Sequence, residues 1–169
     1  KRESGGEPKT DFCVQVNDEI LKFSVKQSHA AAITVAEFDV NTISEEVGIT
    51  DKRLVSLMRK FQKDGSGKNF QTHEKADLTK RLQPYKKNFV RWAISGTATN
   101  NSDDLRMANH TIMFMVDKNN KRLNDFSTYT ISEQVSKITN RQSGYGTGLS
   151  WTYATGTKGK KIQFKCPVM

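Results

Sequence analysis

Cysteine is nearly missing from this chain: its 169 residues include two, Cys13 and Cys166, near opposite ends. Two thiols make no disulfide framework, so both are expected reduced and largely buried on strands of an intracellular protein. Histidine is equally scarce. His29, His73 and His110 stand far apart, and no Cys/His cluster has ligand spacing; neither a structural zinc nor another metal or cofactor is expected. No apolar run approaches the ~18–20 residues of a membrane span, and no charged-then-apolar leader opens the sequence. The expected location is the cytoplasm or a nucleoprotein particle, with no membrane partner. The signatures HExxH, GxSxG and the P-loop are absent. Glu45-Glu46 and Asp103-Asp104 are adjacent acids, which on a helix point about 100° apart and do not face one another. The chain is expected not to be an enzyme.

What the chain does have is positive charge, placed unevenly. The first fifty residues hold five Lys/Arg and nine Asp/Glu, a net of −4. Residues 51–91 hold twelve Lys/Arg against four Asp/Glu, a net of +8, within +9 for the whole. Such a patch suits a polyanion, and nucleic acid is the commonest, because each neutralised phosphate releases a counterion. The expected contacts are Lys52, Arg53, Arg59, Lys60, Lys63, Lys86, Lys87 and Arg91, with Lys158, Lys160 and Lys161 at a basic hairpin tip.

Periodicity places these residues. Residues 1–10 (KRESGGEPKT) lack apolar anchors and read as a flexible polar arm before a single domain over 11–169. Phe12, Val14 and Val16, then Ile20, Leu21, Phe23 and Val25, flank Asn17-Asp18 as a β-hairpin. Residues 30–40 are ambiguous. Helices are expected over 42–47, from Thr50 as N-cap to Asp64, over 73–83, and from Pro84 through Ala93. The stripe Tyr85, Phe89, Trp92, Ala93 on the last of these reads as core rather than as a base-stacking surface. Ser102 is read as the cap of a buried helix reaching Val116, with a strand over 111–116 as the alternative. Another helix is expected from Ser127 or Thr128 to about Asn140. Leu149, Trp151, Tyr153 and Ile162, Phe164, Cys166 alternate as a closing hairpin. The predicted fold is α+β: a mainly helical body of about four to six helices over 42–140, with N- and C-terminal β-hairpins sharing one small sheet.

One local pattern is sharper. In VNTISEEVGITDKRLVSLMR, Ser44, Gly48, Ile49, Leu54 and Leu57 occupy the small, turn and apolar positions of a helix-turn-helix. The stretch resembles that class over about twenty residues; a plain αα-hairpin needs the same spacing. TISEEV also echoes TISEQV at 130–135, as a capping box used twice would. The glycines of RQSGYGTG follow a helix and precede a strand, which excludes a dinucleotide fingerprint. These features lead to a non-enzymatic packaging protein, a viral nucleocapsid or coat-like subunit that binds RNA or DNA and assembles as a homo-oligomer. A sequence-specific helix-turn-helix regulator (residues 40–60) and an adaptor for an acidic protein are the alternatives.

Overall fold

The alternation at the N-terminus becomes a hairpin of β1 (Phe12–Val16) and β2 (Glu19–Ser28), turned at Asn17 with φ of 55°. The structure is a computed structural model and describes residues 9–98, 104, 105 and 107–168. Residues 1–8 of the expected arm and the expected cap Ser102 lie outside them. The ambiguous stretch is a strand, β3 (Ala32–Phe38). Four helices follow: α1 (Val40–Val47), α2 (Lys52–Asp64), α3 (Thr72–Leu82) and α4 (Lys86–Ser95). Then come β4 (His110–Val116), β5 (Leu123–Thr130), α5 (Ile131–Thr139), β6 (Ser150–Thr152) and β7 (Ile162–Pro167).

The strands form two sheets, ordered β1-β2-β4-β5 and β3-β7-β6. Within the first, β2 and β4 are parallel, with Phe23 opposite His110 and Lys26 opposite Met113. A parallel pair needs a long crossover, and β3 with α1–α4 supplies it. Two expectations are corrected. Residues 110–130 are two strands rather than part of a helical body, because His110–Val116 is hydrogen-bonded on both edges, to β2 and to β5. The terminal hairpins do not share a sheet, since Cys13 lies in β1 and Cys166 in β7. Cys13 is also exposed, whereas burial pushes the Cys166 thiol up to about 12.

Helix ends are set by short polar side chains. Asp39 and Asp51 cap α1 and α2, each accepting from two backbone amides, and Gly48 and Gly65 end those helices in the left-handed region. Asp51, not Thr50, is therefore the cap of α2. Thr130 and Glu133 form a true capping box on α5, but Thr42 lies inside α1, so the echoed hexapeptides play different parts.

The core joins both layers. Ile43, Leu54, Leu57, Met58, Leu78, Leu82, Phe89 and Trp92 of the helices are buried with Phe164 and Ile162 of β7. Phe89 stacks on Trp151 at 5.7 Å and meets Phe164 edge-on at 5.1 Å, so the stripe on α4 is core. The glycine-rich loop closes against α5. Gly148 has φ of 84°, and a Cβ there would stand 1.9 Å from the Ile138 carbonyl oxygen. Gly148→Ala should therefore lower the melting temperature sharply, whereas Gly156→Ala, with nothing within 4 Å, should leave it nearly unchanged. Thermal melts of the two variants check this.

Candidate active site and nucleic-acid interface

The hairpin β1–β2 gathers polar groups on the side that faces inward. Alternation puts Lys22, Ser24 and Lys26 on one face of β2. Lys22 and Ser24 are buried and Lys26 is half-buried. The Ser24 hydroxyl has no hydrogen-bond partner among the described residues, an exceptional state for a buried oxygen. Immediately before β1, the Asp11 amide donates to the Phe23 carbonyl (2.7 Å), and the Val25 amide donates to Asp11 Oδ2 (2.6 Å). An exposed carboxylate is thus anchored to the residue between Ser24 and Lys26.

Lys26 opens into a cavity of about 440 Å³ whose other charged lining residues are Lys9 and Glu37. Lys9 Nζ donates to the Val35 carbonyl. Glu37, on β3, accepts from Thr157 Oγ1 (2.8 Å) and Gln163 Nε2 (3.0 Å), so both carboxylate oxygens are held by the β6–β7 hairpin. Lys9, Lys26 and Glu37 line the cavity, and Asp11 and Ser24 belong to the hairpin that carries Lys26; carboxylates, a hydroxyl and lysines can between them hold a hard cation and balance charge developing on a phosphate. The sequence reading missed all of these residues: Lys9 fell in the arm, and the hairpin was read only as strands. The available signal was the row Lys22, Ser24, Lys26 opposite Leu21, Phe23, Val25.

The basic residues expected from sequence fall into three groups. Those facing α3 are tied up. Arg53 bonds Asp77 (3.2 Å), Lys60 bonds Glu74 (2.7 Å), and Arg81 joins Asp51 (2.7 Å) to Asp77 (2.6 Å). Arg59 donates to Asn41 on α1 (2.8 Å). The three acids titrate below their ordinary values: Asp51 chiefly through the Leu54 amide and Arg81, Asp77 through Arg81, and Glu74 through Lys60. A second group joins the starts of α2 and α4, which Thr50 and Tyr85 bring together (Oγ1 to OH 3.5 Å), and it holds Lys52, Lys86 and Lys87. Arg91 lies further along α4, half-buried. The third is the hairpin tip. Lys158, Lys160 and Lys161 are exposed, Lys158 lies over the Tyr153 ring (5.0 Å), and a Cβ on Gly159 would stand 3.7 Å from the Lys63 carbonyl. This tip adjoins the cavity, because Thr157 is the residue that holds Glu37.

The helix-turn-helix reading fails on the first group. Ile43, Val47, Ile49, Leu54 and Leu57 are buried as the pattern requires. Yet the outward Asp51 and Arg53 are locked to Asp77 and Arg81 of α3. A helix whose leading turn is paired across to a neighbour cannot enter a groove; α1–α2 is a plain αα-hairpin.

The family model for the restriction endonuclease MspI matches residues 1–166. The type II restriction enzyme MspI of Moraxella sp is 37% identical over 173 residues, covering 96% of this chain and 65% of that protein. The crystal structure of restriction endonuclease MspI in complex with its cognate DNA superimposes with a TM-score of 0.87 at 36% identity, over 96% of this chain and 65% of that one. This chain therefore spans just under two thirds of the length of these relatives. The matches overturn the readings as a non-enzymatic packaging or coat protein, as a helix-turn-helix regulator and as an adaptor. By sequence and by fold, the chain belongs to the MspI restriction endonuclease family.

Proposed function

We propose that this chain cuts duplex DNA by hydrolysing a phosphodiester, with the reaction centred on Asp11, Ser24 and Lys26. The observation that carries the reading is the Asp11 carboxylate bonded at 2.6 Å to the amide between Ser24 and Lys26. The relative in the solved complex is a restriction endonuclease holding its cognate DNA, which favours DNA over RNA as the substrate. Phosphodiester hydrolysis in nucleases is commonly metal-assisted. Among the described residues no three His, Cys, Asp or Glu side chains cluster as a complete ligand set. A magnesium-like ion does not require one, because it binds through one or two carboxylates and completes its shell with water and substrate phosphate. The Asp11 carboxylate, anchored to the amide of the residue that follows the unpartnered Ser24, fits such an ion. Asp11, supported by Ser24, would hold it, and the ion would polarise the phosphate and lower the pKa of an attacking water. Lys26 offsets negative charge as it builds on the phosphate oxygens, in a partly dry site where that charge counts for more. Glu37, fixed by Thr157 and Gln163, bounds the cavity on the other side.

The basic edges position the duplex. Lys63, Lys158, Lys160 and Lys161 flank the cavity, and Lys52, Lys86, Lys87 and Arg91 continue the surface. Arg53, Arg59 and Lys60 add field from within their pairs. With about five phosphate contacts, log affinity for duplex DNA should fall against log salt with a slope of about −4.5. Digestion of supercoiled plasmid in magnesium is the test. A fixed set of fragments with uniform ends is expected; intact plasmid at every protein concentration would sink the reading.

A further inference from the structure

A second cavity opens at the same end of β2. It measures about 510 Å³ and is lined by Gln27, His29, Val116, Lys118 and Lys121. Gln27 follows Lys26 on the strand, so by alternation the two cavities open on opposite faces of β2 near the same strand end. Its walls are built rather than loose. The partner of His29 Nδ1 is the Val116 carbonyl at 3.0 Å, so Nδ1 carries the proton and Nε2 is left for another partner. The turn after β4 is held by Asp117, whose Oδ1 accepts from the amides of Asn119 (2.8 Å) and Asn120 (2.9 Å). Its backbone closes the turn through Asp117 N to Arg122 O (2.8 Å) and Lys121 N to Asp117 O (3.0 Å). Lys121 is thereby fixed at φ of 55°. Asp117, between the lining residues Val116 and Lys118, adjoins the pocket. Those two amides, and then the charge of His29, hold its carboxyl below the ordinary range, so it is already occupied. Neither Lys118 nor Lys121 forms an ion pair among the described residues. Three cationic or cationisable groups converge on a space with no acid in its lining.

We infer that the pocket of Gln27, His29, Lys118 and Lys121 binds a second DNA backbone phosphate, at the same end of the sheet as the one placed at Lys26. It thereby sets the register of the strand over the reaction centre. The site rests on the proposed DNA cleavage for its ligand. Two loosely hydrated lysines would add only field, but a fixed histidine and a rigid turn select one position along the backbone.

The test compares two doubly substituted proteins that lose the same charge. Lys118→Gln with Lys121→Asn alters the pocket, asparagine being tolerant of the left-handed backbone. Lys75→Gln with Lys80→Gln alters exposed positions on α3. Binding to a 20-base-pair duplex is measured across a salt series. The pocket double should weaken binding about tenfold or more and reduce the magnitude of the salt slope by about 1, the loss of one phosphate contact. The α3 double should leave the slope unchanged. A scan of single neutral methylphosphonates should then find one phosphate whose neutralisation weakens the native protein but adds nothing to the pocket double. Equal slopes for the two doubles, or additive losses at every phosphate, would overturn the pocket even where plasmid is cut. Uncut plasmid with a pocket-dependent slope would instead overturn the cleavage reading and leave the phosphate site standing.

Discussion

Lys26→Met should slow single-turnover cleavage of duplex DNA by about 10²–10³-fold, the usual loss when one group aimed at developing charge is removed. Methionine keeps most of the aliphatic stem that lines the cavity, so the hairpin should hold its shape. The expected pattern is a reduced rate at saturating DNA with affinity changed only a few-fold, because Lys26 is one cation among many at this surface. A similar loss from Lys63→Gln would show that Lys26 acts only as part of the general field. Rapid-quench measurements on both variants separate the two cases.

Phe89→Ala should cost about 3–5 kcal/mol of stability, the range for removing a buried phenyl ring. Phe89 is completely buried and meets Trp92, Trp151 and Phe164, so one truncation loosens α4 from both β6 and β7. For a domain of this size that corresponds to a fall of about 10 °C in melting temperature. Calorimetry decides it; a shift of 2 °C or less would mean that the aromatic cluster does not join the helices to the second sheet.

The hairpin that carries Asp11 and Lys26 was legible from its alternation and its Asn17-Asp18 turn. Its role was not. Period two separates Lys22, Ser24, Lys26 from Leu21, Phe23, Val25, but it does not say which set faces inward. Here the polar set is the buried one, against the ordinary expectation, and that inversion marks the site. β4 was harder to recognise because a short apolar run such as Ile112–Val116 has no decisive period; length and pairing partners decide, and its partner β2 lies far away in sequence. β5 gave almost no signal. Leu123–Thr130 is an edge strand with mostly exposed side chains, so no hydrophobic alternation was required of it. The helices were read well because their caps and stripes are local, and α3's acids explain why much of the basic patch is not free.

The charge patch is a poor guide to catalysis for a related reason. Twelve Lys/Arg over 51–91 are conspicuous in sequence, but Arg53, Lys60 and Arg81 answer to Asp51, Glu74 and Asp77, which fold back from the same stretch. The catalytic set proposed here needs only one acid, one hydroxyl and one lysine, spread over Asp11 to Lys26 without a distinctive spacing.

Asp11→Asn tests the central claim most directly. Asparagine can still accept the Val25 amide hydrogen bond through its side-chain oxygen, so the hairpin geometry is kept while the negative charge is lost. The measurement is cleavage of plasmid in magnesium alongside duplex binding without it. The account predicts a protein that folds and binds DNA like the native one yet leaves the plasmid intact. Cleavage by Asp11→Asn at the native rate would contradict it and move the reaction centre away from this hairpin.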